Sequence, residues 1–548
     1  MDAFCLGTGA TPALAVEKST PPLRGGDAPW CHSSARRVAL LLSLLWGVDC
    51  FSAEAASRSN SRPNLVFLVA DQFRGDCLGA DGNRVIHTPH LDRIAAEGAR
   101  FRCAYSSVPS CTPARATMLT GLSPWHHGML GYGRVATKYR RELPQMLADA
   151  GYYTLGVGKM HYYPQRNLHG FQRTILDESG RAETPGFLSD YRQWFRAVAP
   201  QLDPDATGIG WNDHRGKPYA LPEHLHPTRW TGDEAVKFVE HYAGGRPFFL
   251  KVSFARPHSP YDAPPRWWNR YEHAALPPAL VGDWCARHAQ QGKPYRDDLW
   301  QGERDAEQIR RARQGYYGNV SFVDEQIGRI LSALEKRGWL ENTLILFTAD
   351  HGDMLGDHHL WRKTYAYEPS ARIPMLVRWP TSRLSARRGQ VIGLPVELRD
   401  LLPTFLDAAG VAYEPDWFDG RSLLELVGGR TDGWRRWIDL EHATAYAKEN
   451  YWSALTDGRM KYIYYAPDGR QQLFDLTADP GETHDLAPLP EHRAALATWR
   501  ARLVDHLRER GEPFVVAGDL GLRPRSILYS PNYPAADLPQ PKAKRVSR

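Results

Sequence analysis

The stretch "PNLVFLVADQFRGD", Pro63 to Asp76, carries an unbroken apolar run from Leu65 to Ala70 and then turns polar at Asp71. A short apolar run cut off by a charge reads as a strand buried on both faces. The same design recurs along the chain. "YYTLGVGKMH" ends in Lys159 and His161, "PFFLKVSFARPHSPY" delivers His258, and "NTLILFTADHGD" delivers Asp350 and His351. "IPMLVRWP", from Ile373, reads as a fifth strand. Amphipathic helical stretches lie between, such as "TPHLDRIAAEGARF" from Thr88 and "GNVSFVDEQIGRILSALEKRGW" from Gly318. Strands alternating with helices predict a largely parallel sheet covered on both faces. In such sheets a ligand site lies beyond the carboxyl ends of the strands. Apolar strands that end in Asp, Lys, His and Asp-His therefore point at one common site.

The pattern changes near Thr431. "NYWSALTDGRMKYIYYAPDGRQQLFDL", from Asn450, reads as two alternating strands joined by a turn at Pro467-Asp468-Gly469. "EHRAALATWRARLVDHLRER", from Glu491, follows as an amphipathic helix. This divides the chain into an N-terminal extension (1–61), a main domain (62–430), a smaller antiparallel α+β subdomain (431–520) and a Pro-rich basic tail (521–548), the last expected to be loosely ordered. Residues 163–235 and 262–310 are rich in Pro, Trp and His and read as loop-like insertions suited to substrate specificity. No internal repeat is visible.

The totals narrow the function. The chain has 548 residues, 42% hydrophobic and 24% charged, the composition of an ordinary globular protein. A net charge of +6, spread without Lys/Arg blocks, suits an anionic substrate, and no nucleic-acid-binding motif accompanies it. Arg36-Arg37 precede "VALLLSLLWGVDCF", an apolar run of signal-peptide length, and Ala53-Glu54-Ala55 offers a cleavage site. The run is too short for stable membrane insertion, so an exported protein, periplasmic or secreted, is expected. Cleavage there leaves Cys77, Cys103, Cys111 and Cys285, too few for a disulfide scaffold. Cys77 and Cys103 either bridge or remain two buried thiols.

Cys111 stands apart. A lone cysteine usually serves as a small buried hydrophobe. This one sits in the frame Cys111-Thr112-Pro113-Ala114-Arg115 and continues into "ATMLTGLSPWHHG". That frame resembles the signature of the type I sulfatases, members of the alkaline phosphatase superfamily. The resemblance runs from Pro63 to about Leu486 and takes in "GKMH", "PHSPY", "TADHGDMLGDHHLWRK" and "LFDLTADPGETHDLA". It implies an alkaline-phosphatase-like α/β/α sandwich with a mostly parallel central sheet, plus a smaller C-terminal α+β subdomain with an antiparallel sheet. It also implies a sulfuric ester hydrolase in which a formylglycine-generating or anaerobic sulfatase-maturating enzyme oxidises Cys111 to formylglycine (3-oxoalanine). A sulfate monoester needs its charge neutralised, a nucleophile in line and a proton for the leaving oxygen. The hydrated aldehyde offers one hydroxyl to attack sulfur and a second whose deprotonation expels sulfate. A serine would lack that second hydroxyl.

The resemblance also assigns roles. Asp71 and Asp350 have the type and placement for a hard cation. Gln72, His351 and the modified Cys111 complete the metal set by family position. Gln72 and His351 depart from the commonest family pattern, in which Asp and Asn stand. Calcium is the first expectation, with manganese or zinc open because of the nitrogen ligand. The Asp-Gln and Asp-His pairs also resemble the phosphonate monoester hydrolase branch. Lys159 and His161, two apart on an extended segment, share a face. By family position Lys159 clamps sulfate and His161 helps deprotonate the intermediate; "GVGK" lacks the spacing of a phosphate loop. Arg115, one turn after Cys111, holds the new group's charge. His258 and Lys363 would sit near the bridging oxygen. His358 and His359, beside Asp357, read as loop residues lining the substrate cleft rather than as extra metal ligands. His126 and His127 read as structural. Asn319-Val320-Ser321 matches a glycosylation pattern but falls on a packed helix.

The reading is therefore a sulfatase acting on a sulfated saccharide. A phosphonate or phosphate ester hydrolase is the enzymatic rival, and a non-catalytic sulfated-glycan-binding protein the rival of another class.

Overall fold

The apolar runs become the middle of an eight-stranded sheet in the computed structural model, which describes residues 62–290, 296–444, 446, 447 and 450–538. The export signal and cleavage site expected before residue 62 lie outside the described residues. In chain order the strands are β1 (Asn64–Asp71), β2 (Ala99–Phe101), β3 (Tyr153–Gly158), β4 (Arg173–Leu176), β5 (Phe248–Pro257), β6 (Thr343–Ala349), β7 (Met375–Arg378) and β8 (Gln390–Ile392). Their order across the sheet is β4-β3-β5-β1-β6-β7-β2-β8. β1 lies inside, with Leu65 opposite Phe249 of β5 and Leu344 of β6. The strands from β4 to β6 are parallel. β7 is antiparallel to both its neighbours, a departure that periodicity cannot reveal. Its cause is the connection. Thr348 pairs with Met375, so residues 350–374 stay at the carboxyl end of β6 and return without crossing the sheet. That long loop roofs the end of the sheet where the polar strand ends gather.

The helices that matter are α1 (Pro89–Ala96), α2 (Cys111–Thr120), α3 (Pro227–His241), α4 (Ala306–Lys336), α5 (Leu401–Ala409) and α6 (Arg493–Leu507). Adjacent residues of a strand point to opposite faces. Phe248 accordingly meets Phe238 of α3, while Phe249 meets Phe405 of α5. The sheet is thus covered on both sides, as expected, and every residue of β5 is buried. α4 starts at Ala306 rather than Gly318, because Asp305 caps it by accepting from the Gln308 amide. The segment 163–235 is less loop-like than its composition suggests: it holds β4, a helix at Asp190–Val198 and the start of α3.

Beyond residue 430 an antiparallel sheet of four strands forms: β9 (Ile438–His442), β10 (Trp452–Thr456), β11 (Met460–Tyr465) and β12 (Gln471–Asp475). The expected hairpin at Pro467–Gly469 is present, but the first of its two strands is itself a hairpin. The chain folds back at Asp457-Gly458, where Asp457 accepts from the amides of Arg459 and Met460 and Gly458 takes φ +80°. α6 packs on β10 and β11. The tail is ordered as far as it is described: the Leu528 carbonyl accepts from the Leu130 amide, and Asp537 accepts from Thr137. Cys77, Cys103, Cys111 and Cys285 are free and buried, so the thiol alternative holds over the bridge. Asn319 is buried in α4 and donates to the Pro260 carbonyl. No described helix is long and apolar enough to cross a membrane.

Candidate active site

Five segments converge at the carboxyl end of the sheet. The pairing of β1 with β5 slips between Ala70 and Asp71. Gln72 follows at φ 66°, a left-handed conformation unusual for a non-glycine residue. Its neighbours hold it there. The Gln72 amide donates to Asp350 Oδ1 at 3.1 Å, its carbonyl accepts from Tyr316 at 2.7 Å, and its Nε2 donates to Asp353 Oδ2 at 2.6 Å. Local strain kept by so many contacts marks a functional position.

Cys111 is the first residue of α2, preceded by an extended Ser110, so its thiol sits at the positive end of the helix. Four groups surround the sulfur: His351 Nε2 at 3.2 Å, Lys363 Nζ at 3.3 Å, Lys159 Nζ at 3.8 Å and Asp71 Oδ1 at 3.8 Å. Arg115 is fully buried one turn on. It donates from Nε to Asp350 Oδ2 at 3.0 Å and from Nη1 to Ser253 Oγ, also at 3.0 Å. Lys159, at the end of β3, is ion-paired with Asp71 Oδ2. His258, after β5, donates its amide to the Asp71 carbonyl at 3.0 Å, and its Nε2 lies 2.9 Å from Lys363 Nζ. Lys363 also donates to Gln72 Oε1 at 3.0 Å. His161 takes φ 58° and stands one step back: its ring meets Arg181 Nη1 at 2.6 Å, and its amide donates to Glu178 at 2.8 Å.

Burial sets the charge states. It pushes His351 down to about 3, against the pull of Asp350. His258 falls well below its ordinary value through burial and the nearby Lys363 and Lys159. His161 falls likewise through burial and Arg181. Burial alone would raise Asp350, but His351, Arg115 and Lys159 outweigh it and hold it ionised. His351 Nδ1 lies 2.8 Å from the Gly352 carbonyl, which fixes its proton there and leaves Nε2 a bare lone pair. That lone pair faces Asp71 Oδ1 at 3.6 Å and Asp350 Oδ1 at 3.7 Å. Ligand atoms of Asp71, Cys111, Asp350 and His351 all lie within 4.8 Å of one another. Asp71 Oδ1, Asp350 Oδ1 and His351 Nε2 are acceptors turned toward one another, and a shared cation would relieve their repulsion. The cluster therefore fits a divalent metal site, with carboxylate oxygens and one imidazole nitrogen as donors.

His358 and His359 are not brought to this cluster. His358 is fully buried, its ring 4.7 Å from Trp284 and 5.5 Å from Tyr367, and its Nδ1 accepts from the Gly282 amide. This corrects the expectation that it lines the cleft: the neighbouring Asp357, gripped by Arg74 and Arg313, draws the turn into the protein. The His359 carbonyl accepts from Gly302, and its side chain has no bond to the cluster. His127 is buried against Thr117 and His126 pairs with Asp419, as structural residues would be.

A cavity of about 400 Å³ opens over Cys111 and Lys363, walled by Tyr132, Arg181, Trp211, Asn212 and Tyr446. Sequence reasoning missed all five walls. Trp211 stacks on His258 with ring centroids 3.8 Å apart and receives Lys159 and Arg181 on its face. Arg181 and Trp211 come from the aperiodic span 163–235, where only composition gave a signal. Asp353, which orients Gln72 and Tyr261, was also missed, although it stands two residues after His351.

Comparison with known proteins agrees with this geometry. The family model "Sulfatase" matches residues 63–411, and "N-sulphoglucosamine sulphohydrolase, C-terminal" matches residues 356–509. An arylsulfatase of Clostridium perfringens is 38% identical over 465 residues, covering 83% of this chain and 96% of its own length. An N-acetylglucosamine-6-O-sulfatase of Bacteroides thetaiotaomicron is 27% identical over 542 residues, covering 86% and 91%. A phosphonate monoester hydrolase of Agrobacterium radiobacter has the same fold, with a TM-score of 0.69 at 24% identity over 82% of this chain and 96% of its own.

Proposed function

The chain belongs to the sulfatase family and is a sulfuric ester hydrolase; from that premise we propose that it cleaves sulfated carbohydrates with a nucleophile made from Cys111 and a divalent metal. The single observation that carries this reading is the crowding of His351, Lys363, Lys159 and Asp71 around one thiol at a helix N-terminus.

A divalent cation held by Asp71, Gln72, Asp350 and His351 would supply positive charge for the sulfate and make a neighbouring hydroxyl acidic. Calcium is proposed first, with manganese or zinc as alternatives because His351 offers nitrogen. Formylglycine at residue 111, made by a formylglycine-generating or anaerobic maturating enzyme, would supply the nucleophilic hydrate. The chain's own residues do the rest. Arg115 fixes Asp350 and lends positive charge beneath residue 111. Lys159 and Lys363 bracket the same point and take up negative charge on the sulfate oxygens. His258 is kept neutral, its Nδ1 lies 2.8 Å from the Ser259 carbonyl and its Nε2 accepts from Lys363, so Lys363 brings the proton for the departing alcohol and His258 aims it. His161, kept neutral and held by Arg181, serves as the proton acceptor behind the cavity wall at Tyr132. Trp211, Tyr132 and Tyr446 wall the site with aromatic surface.

Carbohydrate as leaving group is supported by the aromatic wall and by the relative named for N-acetylglucosamine-6-O-sulfate. Export is supported by the Arg36-Arg37 pair and the apolar run behind it. Gln72 and His351 favour a second reading, hydrolysis of phosphonate or phosphate esters. Side-by-side turnover of p-nitrophenyl sulfate and a p-nitrophenyl phosphonate by matured protein separates the two. Preference for the sulfate, lost in Cys111→Ala, supports the proposal; preference for the phosphonate, or undiminished turnover by Cys111→Ala, refutes it.

A further inference from the structure

A second cavity, of about 370 Å³, shares Trp211 with the cavity over Cys111. The same two loops build both. Ser179, Gly180 and Gly210 face the second cavity, Arg181 and Asn212 face the first, and Trp211 lines both. The second cavity has polar groups of its own. Asp177, 1% exposed, accepts from the Ser179 amide through Oδ1 at 3.0 Å, while its buried Oδ2 has no hydrogen-bond partner. Arg192 grips Asp205 through Nη2 at 2.7 and 2.8 Å, and its buried Nε also has none. Arg256 is occupied by Asp262 at 2.7 and 2.9 Å.

Asp177 and Arg192 thus bring one unpaired acceptor and one unpaired donor to a lining that also holds Trp211, Tyr191 and Tyr219. A buried polar atom without a partner is unfavourable until a ligand completes it. A sugar ring does so naturally, because its hydroxyls donate and accept while its C–H face packs on aromatic rings. The charge on the wall narrows the class. Both guanidiniums of the wall are already paired, Arg192 with Asp205 and Arg256 with Asp262, so a second sulfate or a uronate would find its cationic partners taken.

We propose that this cavity is a subsite for an uncharged sugar residue linked to the sulfated one, so that the substrate is a sulfated oligosaccharide held on both sides of Trp211. The proposal rests on the sulfatase reading above.

The test uses matured full-length protein and three kinds of probe: p-nitrophenyl sulfate, sulfated monosaccharides, and sulfated trisaccharides. The trisaccharides come from keratan and carrageenan, whose neighbouring rings are uncharged, and from chondroitin and heparin, whose neighbouring rings are uronates. The best substrate should be a trisaccharide with an uncharged neighbour, with kcat/KM about tenfold or more above its matching monosaccharide sulfate. Thr207→Trp, which fills the cavity, and Asp177→Asn, which replaces the free acceptor, should each erase that advantage mainly through KM. Turnover of p-nitrophenyl sulfate should then stay within about twofold. Equal turnover of mono- and trisaccharide, a best substrate with a uronate neighbour, or an advantage that survives both variants would overturn the subsite. Failure of the matured wild type on every sulfate probe would instead overturn the sulfatase reading itself.

Discussion

His258 and Lys363 meet at 2.9 Å beside Cys111, yet substitution should separate their duties. Nitrophenolate leaves without help, whereas a sugar alkoxide needs a proton. His258→Ala, which removes the ring that aims the Lys363 ammonium, should therefore lower kcat on a sugar sulfate by about 10²–10⁴-fold and on p-nitrophenyl sulfate by only about tenfold or less. Lys363→Ala should lower both, by about 10²–10³-fold, because it also loses charge beside the sulfur. Equal losses for His258→Ala on the two substrates would remove its assigned duty. A second residue test concerns stability. Lys251 is buried in β5, and burial together with Arg115 pushes its ammonium down to about 7. The folded chain then binds fewer protons than the unfolded chain between that value and the ordinary lysine range, so this lysine's contribution to stability grows as pH rises through that window. Lys251→Met should unfold at a higher temperature than wild type at pH 7, and the gap should close toward pH 10. A constant gap would contradict the sign. At this scale the sequence spoke clearly where a polar residue ends an apolar run or sits in a motif, as Asp71, Lys159, Asp350 and Cys111 do. It misled at His358, which is buried against Trp284, far upstream in the chain, and against Tyr367 of the following loop. It was silent on Trp211 and Arg181, which no periodicity frames.

The elements cap and brace one another in ways that local sequence conceals. Thr88 precedes α1 but makes no side-chain cap. Asp324, buried in α4, supplies it instead, accepting from the amides of Leu91 at 2.8 Å and His90 at 3.2 Å. Asp324→Ala should cost about 1–3 kcal/mol in urea unfolding, because both amides lose their partner in the interior. A change near zero would mean that the α1–α4 contact rests on packing alone. The strands of the main sheet were legible because each is an apolar run of strand length. The direction of β7 was not, since composition carries no polarity. The hairpin at Asp457-Gly458 was overlooked because alternation continues across it, although the Asp-Gly pair is itself a turn signal and Asp457 closes the turn by accepting from the Arg459 and Met460 amides.

The whole molecule joins a two-faced sheet to a roof of loops that bring residues 71, 111, 159, 258, 350 and 363 within a few ångströms of one sulfur or of its direct partners. The carboxyl-end rule made that convergence predictable, but the loops that shape the cavity follow no period and remained unread. A cation shared by Asp71, Asp350 and His351 would bind the folded chain alone, so dialysis against a chelator should lower both Tm and sulfate turnover, and returning calcium or manganese should restore both. An unchanged Tm would argue against a resident metal. The central claim is that residue 111 must be oxidised before the chain can act. Protein co-expressed with graded amounts of a maturating enzyme can be assayed on p-nitrophenyl sulfate while mass spectrometry reports the fraction of residue 111 present as aldehyde. The account expects kcat per molecule to rise in proportion to that fraction and to vanish at zero. Full turnover from protein that retains only the Cys111 thiol would contradict it.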